Sequence, residues 1–162
     1  MRLAWPLLKE AFLVSIPFMN QIFKYQEKVQ LYHVDAASML FYGQLFFILH
    51  NAFAAFLQKE GFSIRDRLIN KDFFIPVVHA SANYSKPLSV GDEIEIDLSV
   101  EKIGASSFTV FFDLFSKGES IGDARIIHAA IDTKQQTKIE LPAEFRQAIE
   151  KYIKKKSLLF KG

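Results

Sequence analysis

The chain has 162 residues, half of them hydrophobic and 23% charged, a balance that excludes a disordered tail and supports one domain with a sizeable core. Its formal net charge of +2 comes from interspersed acids and bases and gives no field to recruit nucleic acid; Lys154, Lys155 and Lys156 read as a solvated helix end. With no cysteine there is no disulfide, thiol nucleophile or thiolate metal site, which fits a reducing, cytoplasmic setting.

Residues 1–22 read as an N-terminal extension and 23–162 as the domain proper. Met1 to Met19 is apolar but is broken by Lys9, Glu10 and Pro17 and followed by no small-x-small cleavage site, so a signal peptide is disfavoured. Trp5, Leu7, Leu8, Ala11 and Phe12 share one stripe of a helix opened by Pro6. That helix docks on the body or on a second subunit; contact of residues 1–20 with a membrane surface is the weaker alternative.

Phe23 to Tyr32 alternates as a strand, with Phe23, Tyr25, Val29 and Leu31 on one side and Glu27 out of pattern. After Asp35-Ala36-Ala37-Ser38 comes a helix in which eleven of the thirteen residues from Leu45 to Leu57 are apolar. No face of it suits water, and at roughly 20 Å it is too short for a bilayer of about 30 Å. It is expected to be buried nearly all round inside a wrapped sheet, with Gly61 ending it. Phe62 to Lys71 is charged and aperiodic, a loop placed to flap over a pocket.

Phe73 to Tyr84 is a second extended segment, in which Pro76 requires a strand start, an edge or a bulge. Ile94, Ile96, Leu98 and Val100 then alternate strictly with polar residues, giving one dry and one wet face. Gly104 marks a hairpin into Ser107–Ser116, and Lys117-Gly118-Glu119 a second into Ile121–Thr133. Pro142 opens an amphipathic helix with Phe145, Ala148, Ile149, Tyr152 and Ile153 on its apolar stripe. Strand, buried helix, four strands and a terminal helix make the class α+β. The 17 Phe read mainly as core, with a subset available to line an acyl channel.

Read in order, His33-Val34-Asp35-Ala36-Ala37-Ser38-Met39-Leu40-Phe41-Tyr42-Gly43, the buried helix, Ile75-Pro76-Val77-Val78-His79-Ala80, Tyr84-Ser85-Lys86-Pro87-Leu88, Gly91-Asp92-Glu93-Ile94 and Leu141-Pro142 resemble the hotdog fold. More narrowly, they resemble the acyl-CoA thioesterases typified by 4-hydroxybenzoyl-CoA thioesterase, including the 1,4-dihydroxy-2-naphthoyl-CoA hydrolases, over residues from about 23 to 153. The resemblance implies an antiparallel five-stranded sheet wrapped around a long central helix. It also implies a homodimer or homotetramer that hydrolyses an acyl-CoA or acyl-carrier thioester, with no metal and no cofactor beyond the coenzyme A of the substrate.

Two positions depart from the family pattern. Ser38 stands where the family has Gly; if the site needs a positive φ or a close backbone approach, Ser accepts it at a cost. The hairpin at Gly104, Ala105 and Ser106 lacks the basic cluster that some aromatic-acyl members use to hold nucleotide phosphates. Lys102, Lys86 or the loop's Arg65 and Arg67 then take over that grip, or the carrier is an acyl carrier protein.

Thioester hydrolysis needs a group that attacks the carbonyl or activates water, and donors for the developing oxyanion. Asp35 fits either role, as nucleophile forming a mixed anhydride or as base for a water; on spacing alone it reads first as a turn or N-cap residue, and it is the resemblance that favours the catalytic reading. By the resemblance, the amide of Tyr42 is the first oxyanion donor, with Gly43 beside it. Phe41, His33, Lys86 and Lys102 are the candidate substrate-binding residues, His33 being placed to orient the carboxylate or shuttle a proton. The hotdog branch that carries its acid inside the central helix is disfavoured, because His50-Asn51 is followed by no acid before Glu60. His50 reads as a core or interface histidine, and His79 and His128 lack a carboxylate at metal-ligand spacing. A non-catalytic acyl-chain or acyl-carrier binding module, and a hydratase-type enzyme, are the rival readings.

Overall fold

The computed structural model describes residues 20–63 and 73–154. The N-terminal helix expected within residues 1–19, the flap, Arg65 and Arg67, and Lys155 and Lys156 lie outside the described residues. Strand β1 is Phe23–Lys28, followed by a 3-10 turn at Leu31–His33 and helix α1 at Tyr42–Lys59. Then come β2 (Phe73–Phe74), β3 (Val77–Tyr84), β4 (Glu93–Ile103), β5 (Ser107–Ser116), β6 (Glu119–Ala129), β7 (Ile131–Asp132) and helix α2 (Ala143–Glu150). Five strands form one antiparallel sheet in the order β1-β4-β5-β6-β3, and β2 pairs with β7 beside it.

The alternation in β4 and β5 builds the core. Ile94, Ile96, Leu98 and Val100 turn inward beside Phe108, Val110, Phe112 and Leu114, and all are buried. Against them α1 lays Leu45, Ile48, Leu49, Ala52, Phe53 and Phe56. Among the described residues no helix is long and apolar enough to cross a membrane.

Four expectations need correction. β1 stops at Lys28, because the His33 ring accepts a bond from the Gln30 amide (3.1 Å) and closes a turn that throws Leu31 and Tyr32 into solvent. The segment from Phe73 to Tyr84 breaks at Pro76 into two strands that pair with different partners. The α1 helix is not buried all round: Phe47 is 66% exposed, and His50 and Asn51 share its side. Helix α2 ends at Glu150, although Tyr152 still packs into the core and Ile153 bridges to Val100. The Phe53 and Phe108 rings stack on His128, which donates to the Ile75 carbonyl at 2.9 Å. Burial pushes this imidazole down to about 4, so it is a neutral core residue.

Candidate active site

Asp35 lies in a tight turn whose shape is set by backbone bonds. Its amide donates to the Met39 carbonyl and its carbonyl accepts from the Ser38 amide, both at 2.9 Å, while Val34 and Leu40 bridge behind it. One carboxylate oxygen, Oδ1, accepts from the Ala37 amide at 2.8 Å and from Met39 at 3.4 Å. The other, Oδ2, has no hydrogen-bond partner among the described residues, and the side chain is exposed. Ser38 closes the turn at φ +60°, a left-handed conformation that costs a residue with a Cβ about 1 kcal/mol.

The turn delivers the chain directly into α1. Leu40 bonds to the Leu88 carbonyl (2.7 Å) and Phe41 to the His33 carbonyl (2.9 Å), so the residue before the helix is held from two sides. Phe41 caps the helix in extended geometry with no side-chain cap bond, and the first turn carries no acid. The leading amides of Tyr42 and Gly43 therefore keep their donors, at the positive end of the helix dipole. Gly43 has a packing reason to be glycine: a Cβ there falls 2.8 Å from the Phe41 ring.

Asp35 and Tyr42 line one cleft of about 390 Å³ with Met39, Leu40, Leu45, Tyr84, Lys86, Leu88, Leu114 and Ile121. Most of this wall is apolar, which suits an acyl group, and Asp35 and the first residue of α1 are part of it. Tyr84 reaches the site because β3 passes very close to β6. It stands opposite Gly122, where a Cβ would lie 2.1 Å from the Asn83 carbonyl oxygen, at φ +154°. The Tyr84 hydroxyl donates to the Tyr42 carbonyl at 2.7 Å. Partial burial, and then the neighbouring Tyr42, hold this phenol above its ordinary value, so it stays a donor. Lys86 is paired with Glu119 at the rim.

The remaining predicted residues stand elsewhere. His33 is buried with Nδ1 taken by Gln30 and Nε2 3.9 Å from Glu27, so its ring faces that acid and not the Asp35 carboxylate. Its contribution to the site is the main-chain carbonyl that fixes Phe41. Lys102 is exposed at the β4 bulge, six residues along the strand from Ile96, which pairs with cleft residue Leu114. That is roughly 20 Å of strand, so within one subunit Lys102 does not join Asp35. Two residues not singled out from sequence matter here. Tyr84 gave no signal beyond its place in the Tyr-Ser-Lys-Pro-Leu run. Glu27, on the inward phase of β1, takes bonds from Tyr25 (3.1 Å) and Asn51 (3.2 Å), which its break in alternation foreshadowed. Among the described residues no group of three or more His, Cys, Asp or Glu is placed to hold a metal ion.

Comparison with known proteins adds the family context. Residues 29–149 match the model of the Thioesterase-like superfamily. A 1,4-dihydroxy-2-naphthoyl-CoA hydrolase from Nostoc punctiforme is 30% identical over 128 residues, covering 79% of this chain and 86% of that protein. A protein of the same name from Prochlorococcus marinus is 38% identical over 120 residues, covering 70% and 77%. The crystal structure of a 1,4-dihydroxy-2-naphthoyl-CoA thioesterase from Synechocystis superposes with a TM-score of 0.75 at 25% identity, over 80% of this chain and 96% of that one.

Proposed function

The chain belongs to the Thioesterase-like superfamily and is a thioester hydrolase; from that premise we propose that it cleaves an acyl- or aroyl-CoA, with Asp35 as the acting carboxylate and the α1 amides of Tyr42 and Gly43 as the oxyanion site. One observation carries the reading: Asp35, with one oxygen free, lines the same apolar cleft as the uncapped tip of a long helix. Coenzyme A enters as part of the substrate. A bicyclic aroyl thioester heads the panel to be tried, because the relatives are named for one.

Asp35 acts through Oδ2 in either of two routes. As nucleophile it attacks the thioester carbonyl carbon; the C–S bond breaks, CoA leaves as a thiolate that takes up a proton, and water cleaves the resulting anhydride. As base it removes a proton from water, which attacks the same carbon and expels the same thiolate. Both routes place a negative charge on the carbonyl oxygen, where the positive end of α1 lowers the barrier. Ser38, at φ +60°, closes the turn in the shape that leaves Oδ2 free.

Assembly completes the proposal. β3 is exposed along nearly its whole length, with Val77 52% and Val78 58% accessible, and it is an edge strand of the sheet. We place a second copy on this face, giving the homodimer or homotetramer expected for the fold; sedimentation at micromolar concentration tests it. For catalysis, Asp35→Ala and Asp35→Asn are expected to keep the wild-type assembly and melting temperature while kcat falls by about 10³ or more. Because the chain has no cysteine, a thiol reagent reads released CoA without background. Full turnover by Asp35→Ala sinks the mechanism.

A further inference from the structure

The hydroxyl of Tyr84 lies 2.7 Å from the main-chain carbonyl of Tyr42. That carbonyl is in the first turn of α1, where its helical partner is the amide four residues on, so the phenol takes the second lone pair. Neither group needs the bond for its own satisfaction. Tyr84 is half exposed to water, and β3 is already held by its register with β6 and by the Ser85 amide on Ile121 (2.9 Å).

The bond acts on the peptide unit that joins Tyr42 to Gly43. This unit is rigid and trans, with the Tyr42 carbonyl on one side and the Gly43 N–H on the other. A donor on the oxygen draws electron density from the nitrogen and strengthens the N–H as a donor. It also adds a side-chain anchor to a unit otherwise held by its helical bond: the helix has no side-chain cap, and glycine itself offers no χ or Cβ restraint. The Phe41 ring lies close against Gly43, 2.8 Å from where a Cβ would stand.

We infer that Tyr84 is a positioning residue for hydrolysis: its hydroxyl anchors and polarises the Tyr42–Gly43 peptide so that the Gly43 amide meets the oxyanion. The inference rests on the oxyanion site proposed above. A phenol suits the task, since it donates without adding charge beside Asp35, whereas a lysine at position 84 would compete for the carboxylate.

Tyr84→Phe removes the hydroxyl and keeps the ring in the cleft. The expected result is a kcat about tenfold lower with KM within about twofold, since the lost interaction exists chiefly in the transition state. A trifluoromethyl ketone analogue of the acyl-CoA, which forms a tetrahedral adduct, is expected to bind weaker by the same factor. A thioether analogue without a carbonyl is expected to bind as before. Unchanged kcat, a loss that appears only in KM, or a fall in kcat that comes with a lowered melting temperature overturns the inference. The Asp35→Ala protein assayed in parallel separates the two ideas. If it is inactive and Tyr84→Phe is fully active, only the role of Tyr84 falls; if it turns over fully, the hydrolytic assignment and this inference fall together.

Discussion

The C-terminal end of α1 has its leftover backbone groups paired, whereas the N-terminal end is held in place by its neighbours but has no side-chain cap for its leading amides. At the C-terminal end Gly61 adopts φ +82°, Gly61 bonds back to Gln58 (3.1 Å) and Phe62 to Leu57 (2.8 Å), and Phe62 is buried. These are the two reciprocal bonds and apolar contact that close a helix end most firmly. Glu60 accepts from Lys151 (2.8 Å) and from the fully buried Tyr152, while Lys59 lies 5.5 Å from the Phe23 ring. At the N-terminal end, Phe41 offers no cap, and aromatic side chains lie in solvent around free amides. A helix end left unsatisfied costs stability. The contrast teaches that the sequence places its capping chemistry at one end of the helix and leaves the amides of the other without a side-chain cap, which is the end the proposed mechanism uses.

The largest test of this asymmetry is Glu60→Ala, which strands the buried Tyr152 hydroxyl and frees Lys151. We expect a loss of about 2 kcal/mol in chemical denaturation with kcat unchanged. Burial alone would raise the Glu60 carboxyl, but the bonds from Lys151 and Tyr152 outweigh it and hold the group below its ordinary 4.5. A lowered folded value contributes stability that is fully present above pH 4.5 and is lost as pH falls through the folded value. The gap between wild type and Glu60→Ala should therefore close on acidification; a gap that widens would contradict the pairing.

Next in size is the attempt to make the two ends alike. Phe41→Asp supplies the missing cap and a negative charge at the dipole, and should stabilise the protein by about 1 kcal/mol relative to Phe41→Ala. The same carboxylate occupies the leading amides, so kcat should fall at least tenfold below that of Phe41→Ala. Greater stability with undiminished turnover would show that those amides are idle. The smallest effect is expected from Ser38→Gly, which relieves the left-handed strain next to Asp35 and should raise stability by about 0.5 kcal/mol with activity retained. A destabilised protein would mean that the serine makes a contribution of its own.

The sequence made these two ends legible to different degrees. Gly61 after an apolar run is a local signal, and so is the strict alternation of Ile94 to Val100; each is written within a few residues. The fate of Leu31 and Tyr32 was not, because alternation continues through them while a ring nitrogen of His33 closes the chain into a turn. The exposed side of α1 was illegible for another reason: an apolar Phe47 declares a need for cover but not who provides it. Lys102 is exposed at the β4 bulge, away from Asp35 along the strand, a separation set by the length of β4 and not by any local motif. Tyr84 depends on the close approach at Gly122, a contact between strands nearly forty residues apart, and no pattern within one segment could have pointed to it.

β3 has a further consequence, for handling rather than catalysis. From Val77 to Tyr84 it contains no charged residue and no proline, and among the described residues its only sheet neighbour is β6. Such a ladder accepts any extended peptide that arrives in the right direction, and charge or proline is the usual defence against it. Here Pro76 and Lys86 guard only its ends. Wherever nothing covers it, this margin is expected to be the first place at which concentrated protein associates strand to strand on storage.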